Sequence, residues 1–286
     1  MKKLKILLFL CIVACTLTVQ AQKQFTLSSP DGKLQTTITV SDKLTYDIRC
    51  SGRQILAPSP ISMTLDNGEV WGEKAKLSGT SGKKVDQMIP SPFYRASELR
   101  DHYNELTLRF KKDWNVEFRA YNDGIAYRFV SRAKKPFNVV DETVDYHFPS
   151  DMIASVPYVK TGKDGDYDSQ YFNSFENTYT TDPLSKLNKK RLMFLPLVVD
   201  AGEGIKVCIT ESDLENYPGL YLSAIEGENR LTGSFAPYPK KMVQGGQPHA
   251  GQDLRADALH NCAPFPDGCF RFSGIHYYIM PYLSWE

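Results

Sequence analysis

A two-residue hydrophobic period dominates this chain, and no helical period holds for about a dozen residues anywhere between Gln22 and Gly246. Leu34, Thr36, Ile38 and Val40 alternate with Gln35, Thr37 and Thr39. After Ser41-Asp42-Lys43, the residues Leu44, Tyr46, Ile48 and Cys50 alternate with Thr45, Asp47 and Arg49. Such a pattern sets apolar side chains on one side of a strand and leaves the other wet, so it predicts a hairpin. Leu106, Leu108 and Phe110, then Trp114, Val116 and Phe118, repeat it around Lys111-Lys112-Asp113. A turn at Asn122-Asp123-Gly124, where Gly124 would supply a positive φ, leads into Ile125, Tyr127 and Phe129. Further strands are predicted over Asn138–Tyr146, Met193–Asp200 and Ile205–Thr210, the last two joined by Ala201-Gly202-Glu203-Gly204. One short helix is predicted over Thr210–Asn216, from a hydroxyl cap followed by acidic residues. Many short strands with regular turns make the chain all-β, as a sandwich or a barrel.

The N-terminus carries a different signal. Met1-Lys2-Lys3-Leu4-Lys5 is basic, Ile6 to Leu17 is apolar, and Val19-Gln20-Ala21 suits a signal peptidase. Residues 1–21 therefore read as a cleaved export signal, too short to span a bilayer, and the protein as secreted, in the periplasm. Ile12-Val13-Ala14-Cys15 also fits a lipoprotein site, with Cys15 carrying the anchor. Removing the signal removes Cys11 and Cys15. Cys50 and Cys208 then read as buried small hydrophobes within strands, and Cys262 and Cys269 as a pair that an oxidising compartment could bond.

Charge excludes one partner class. Lysine plus arginine number 34 against 33 acidic residues, a net charge of +1, which leaves no electrostatic footprint for nucleic acid. The 16 tyrosines suit partners that are half apolar and half hydroxylated, among them sugars, protein interfaces and ordinary cores.

Two stretches carry a family resemblance: Tyr121-Asn122-Asp123-Gly124-Ile125-Ala126-Tyr127-Arg128-Phe129, and Asp168 to Leu222. The second holds Ser174-Phe175-Glu176-Asn177-Thr178-Tyr179, Leu195-Pro196-Leu197 and Thr210-Glu211-Ser212-Asp213-Leu214-Glu215-Asn216-Tyr217-Pro218-Gly219-Leu220-Tyr221-Leu222. Together they resemble the N-terminal β-sandwich domain of glycoside hydrolase family 97, the Bacteroides-type calcium-dependent α-glucosidases and α-galactosidases. The resemblance implies a large antiparallel sandwich of the galactose-mutarotase (super-sandwich) type over residues 22–247. It implies that catalysis on α-linked oligosaccharides belongs to a following (β/α)8 barrel, which the sequence does not carry, so the chain alone is expected to be inactive. It also implies that Glu176 is the loop glutamate that ligates the parent enzyme's calcium, the barrel supplying the other ligands. The sandwich surface that meets the barrel would expose apolar area and associate weakly with itself.

Residues 248–286 fit neither strand nor helix periodicity and do not read as a continuation of the domain, so they are expected to form a divergent, poorly ordered tail. A frameshifted or truncated reading frame and a true extension both account for such a tail.

Other constellations are weaker. Asp164, Asp166 and Asp168 alternate as in the opening of a calcium loop, but Gly165 falls at the second position rather than the sixth, so they read as a polar turn. His249, His260, Cys262 and Cys269 are zinc-like types at no standard spacing. A mutarotase would need a histidine and a glutamate converging on one face, nominally His102 or His147 with Glu117 or Glu176. A free-standing carbohydrate-binding or interaction domain is the alternative from another class.

Overall fold

A computed structural model describes residues 22–91, 96–134, 137–171, 173, 176–212, 218–236, 260–261 and 278–282. The first strands are β1 (Lys23–Ser28), β2 (Leu34–Val40), β3 (Leu44–Cys50), β4 (Arg53–Leu65), β5 (Val70–Trp71) and β6 (Leu77–Pro90). Next come β7 (Glu98–Phe110), β8 (Trp114–Tyr121), β9 (Ile125–Ser131), β10 (Asn138–His147), β11 (Ile153–Val156) and β12 (Thr180–Pro183). The remainder are β13 (Leu197–Gly202), β14 (Ile205–Thr210), β15 (Leu220–Ala224), β16 (Arg230–Phe235), β17 (His260–Asn261) and β18 (Tyr278–Tyr282).

They form two antiparallel sheets. The first runs β1-β2-β3-β4-β10-β16-β15, with β5 on β4 and β17 on β10; the second runs β12-β11-β13-β14-β18-β9-β8-β7-β6. The two-residue period decides which side chains meet between them. Leu34, Ile38, Tyr46 and Ile48 of the first sheet are buried, as are Val116, Phe118 and Tyr127 of the second. The Tyr46 ring lies 5.8 Å from Phe118 and 5.4 Å from Tyr127, so these rings knit the sheets face to face. At one end Trp71 stacks on Trp114 at 5.5 Å, and Trp114 on Phe110 at 4.1 Å. Each fully buried side chain of this size contributes roughly 1.5–3 kcal/mol, which makes this seam the main source of stability. The all-β fold is the class the period implied, and of the sandwich and the barrel that it left open the chain forms the sandwich that the resemblance implied.

Hairpin β2–β3 occupies the expected residues, as does β14, and β10 extends the expected strand by one. Elsewhere the chain departs from its sequence reading. Gly124 does not adopt a positive φ; the left-handed residues of the neighbouring turn are Lys112 (φ 70°) and Asp113 (φ 60°). The Asn122–Gly124 turn closes simply by Tyr121 N–H donating to the Gly124 carbonyl at 2.8 Å. Strand β13 begins at Leu197 rather than Met193, because Pro196 has no N–H to donate to a ladder; Met193 makes only isolated bridges to Tyr158 and Leu222. The predicted helix does not start at Thr210, which ends β14, and Glu211 and Ser212 are not helical; residues 213–217 lie outside the described residues. Cys50 is buried, whereas Cys208 is only half-buried because it points to the opposite side of its strand from Val207 and Ile209; both are free thiols. Cys262 and Cys269 lie outside the described residues, as do residues 1–21. Within residues 248–286, β17 pairs with β10, and β18 enters the second sheet between β14 and β9.

Candidate functional site

Glu176 sits in the loop that feeds β12, and its side chain is exposed. Two neighbours tie the loop to the sandwich. The Asn177 side-chain amide donates to the Tyr158 carbonyl at 3.1 Å, and the Tyr179 hydroxyl donates to the Pro196 carbonyl at 2.9 Å. The cis Leu195–Pro196 bond and the Met193 bridges shape the segment that receives Tyr179. The carboxylate is thus carried on anchored backbone while itself facing water. Phe175 lies outside the described residues.

The segment before this loop is held by a buried amide. Gln170 is fully buried; its side-chain NH2 donates to the Lys163 and Lys190 carbonyls at 2.9 and 2.8 Å, and its oxygen accepts from Leu192 N–H at 2.8 Å. Arg191 donates to the Gly162 and Val159 carbonyls at 2.7 and 2.6 Å and pairs with Asp164 at 3.2 Å. Gly162 turns with φ +96°, where a Cβ would fall 2.6 Å from the Ser169 carbonyl oxygen, so only glycine fits. The Asp164–Asp168 stretch is therefore a clamped turn, with Tyr167–Ser169 as a single 3-10 turn.

Glu211 sits near the same end of the second sheet, since Ile209 of β14 pairs with Leu197, next to the Pro196 that receives Tyr179. Both of its carboxylate oxygens lie 3.0 Å from the Leu220 N–H. Burial pushes this carboxyl up to about 7, opposed only in part by the Leu220 bond. It also adds to the burial that raises the Tyr146 hydroxyl in the core. Sequence reading missed Glu211 as a buried group because its acidic surroundings read as a helix start; the available signal was Tyr217-Pro218-Gly219, a turn able to bring the chain back onto it.

The residues nominated for proton shuttling do not converge. Glu117 lies on the face of β8 opposite the buried Val116 and Phe118, bonded to Arg128 at 2.8 Å. His147 lies on the face of β10 opposite the buried Tyr146, 3.7 Å from Asp145. These two faces look away from each other across the sandwich. His102 projects from β7 near Asp86, at 4.0 Å, and Glu176 is on the loop before β12, at the opposite edge of the second sheet. Of the zinc-like set, the side chains of His249, His260, Cys262 and Cys269 all lie outside the described residues. Among the described residues no three His, Cys, Asp or Glu side chains are placed to hold one metal ion.

Two antiparallel sheets packed face to face, with an exposed carboxylate on an anchored loop at one end of the second, define a β-sandwich domain. The chain belongs to the family described as Glycosyl-hydrolase 97 N-terminal, which matches residues 27–266 and so continues past the boundary expected at 247. It is 80% identical over 246 residues to a retaining alpha-galactosidase of Bacteroides thetaiotaomicron, covering 86% of this chain and 37% of that relative. The chain thus spans little more than a third of the relative's length. A glycoside hydrolase family 97 enzyme from Pseudoalteromonas sp. strain K8, solved with acarbose, superposes with a TM-score of 0.65 at 15% identity, over 90% of this chain and 35% of that one. A beta-arabinopyranosidase superposes with a TM-score of 0.69 at 21% identity, over 91% of this chain and 40% of that one. At such identities the likeness establishes the fold alone.

Proposed function

We propose that this chain is the accessory sandwich of an exported α-galactosidase that acts on α-linked oligosaccharides in the periplasm, and that Glu176 completes a calcium site whose other ligands sit on a barrel domain. The observation that carries this reading is the placement of Glu176: its carboxylate is exposed, yet its loop is fixed through Asn177 and Tyr179. Calcium takes six to eight oxygens, and one carboxylate supplies one or two. Glu176 therefore fits as one contributed ligand and not as a complete site. When bound, the ion would supply a fixed positive charge near the reacting sugar. This chain's residues would hold the ligating carboxylate in place across the domain boundary. Galactoside is favoured over glucoside by the name of the 80% identical relative.

The test is complementation in trans. This chain is mixed with the separately purified remainder of the Bacteroides relative, and aryl α-galactoside hydrolysis is followed with and without calcium. The wild-type chain should raise turnover above that of the remainder alone, and Glu176→Gln should lose most of that gain. An equal gain from Glu176→Gln would overturn the calcium role, and no gain from either would overturn the accessory role.

A further inference from the structure

Strand β6 ends the second sheet, and among the described residues β7 is the only strand that pairs with it. It is long, runs without a break in register from Gly79 to Pro90, and is exposed over nearly all of that length. Strand β8 reaches only as far as Tyr103, so Glu98 to His102 and their β6 partners Asp86 to Pro90 project as a two-stranded arm. A two-stranded ribbon is marginal in water, and this one shows Met88, Ile89 and Leu99 at 54%, 41% and 45% exposure. Lysines usually blunt such edges. Here Lys83 is engaged with Glu105 at 3.1 Å, which leaves Lys84 on the edge beside an Asp86 whose carboxylate, about half exposed, already accepts from Arg100 of β7 at 2.7 Å.

We propose that β6 is a homodimerisation edge, pairing antiparallel with β6 of a second copy about a two-fold axis at Val85, so that the second sheets of two molecules join into one. Symmetry and charge select this register together. An axis perpendicular to a sheet keeps its two sides distinct, so only registers centred on a residue preserve the two-fold. Centring on Lys83, Lys84 or Asp86 sets a charge against its own copy. Centring on Gly82 or Gln87 sets the charges opposite neutral residues. Centring on Val85 sets Lys84 opposite the second copy's Asp86, and Asp86 opposite its Lys84, with Lys83 opposite Gln87. The same register lays exposed Met88 across Gly82, which has no side chain to displace it. Two cross-strand ion pairs thus turn an edge guarded by lysine into one that accepts only its own copy. This inference is independent of the reading of Glu176, which lies at the opposite edge of the sheet.

Sedimentation equilibrium of the purified chain tests it, with Val85→Cys as a geometric probe. The wild type should form a dimer. Lys84→Asp sets two like-charge pairs across the axis and should weaken the dimer by about tenfold or more. The double variant Lys84→Asp/Asp86→Lys reverses both charges and should recover it, although each copy loses the Asp86–Arg100 pair. Under mild oxidation Val85→Cys should cross-link to its own copy, whereas Gln87→Cys, about four strand residues from its equivalent, should not. A monomeric wild type at high concentration overturns the proposal. So does a dimer indifferent to Lys84→Asp, or one whose Val85→Cys variant does not cross-link.

Discussion

The carboxylate of Glu211 spans the backbone amide of Leu220, with both oxygens 3.0 Å from the same N–H, and ties the end of β14 to the start of β15. One neutral donor does not compensate a carboxylate for lost water, and the carboxyl consequently holds its proton up to about 7.

A pH dependence with a definite sign follows. The folded-state pKa of Glu211 lies above the ordinary 4.5, so the folded chain binds this proton more tightly than the unfolded chain. Its stabilising contribution is fully present below pH 4.5 and is lost as pH rises to about 7, by a few kcal/mol at most. Glu211→Gln keeps an acceptor for Leu220 and removes the titration. Urea unfolding from pH 4.5 to 8 should show the wild type losing stability relative to Glu211→Gln across that window and running parallel to it above. A constant difference between the two would refute the assignment.

Gln170→Ala should cost about 1–3 kcal/mol, because it strands the Leu192 N–H, while the Lys163 and Lys190 carbonyls keep the Asp166 and Gly165 N–H donors. Amide exchange at Leu192 should quicken in this variant while exchange at Ile38 in the other sheet stays slow. Equal acceleration at both positions would show that the amide is not a local clamp.

Trp114 touches Trp71, Phe110 and Phe129 at one end of the seam. Trp114→Ala should destabilise by about 3–5 kcal/mol and lower the thermal midpoint by several degrees. A loss below about 1 kcal/mol would mean the aromatic stack is not a main support of the sandwich.

Calcium titrated into this chain alone should show no affinity tighter than roughly millimolar, since Glu176 offers one carboxylate against the six to eight oxygens the ion takes. Calorimetry decides the point. A micromolar site abolished by Glu176→Ala would place the whole ligand set within this chain and contradict the shared site proposed above.

What the sequence determined by itself was the class of fold and the strands of its most regular hairpins. Side-chain period is a local property: Leu34 through Val40 can bury their apolar members on only one side, whatever lies opposite. The motifs around Glu176 and Tyr121–Phe129 were equally local, and they carried the family. Tertiary structure decided the rest. Strands β4, β6, β15 and β16 lack clean alternation, because each meets different surroundings along its length, from core to open water in the case of β6. The end of β18 took its place only through partners in β14 and β9, far away in the chain, so its own period said nothing. Burial of Glu211 likewise depended on a fold that brings a backbone amide nine residues on against it. Local periodicity records which side of a strand is apolar; it does not record which strand lies beside it, and that pairing placed Glu176 and Glu211 near one end of the second sheet and left β6 as its open edge.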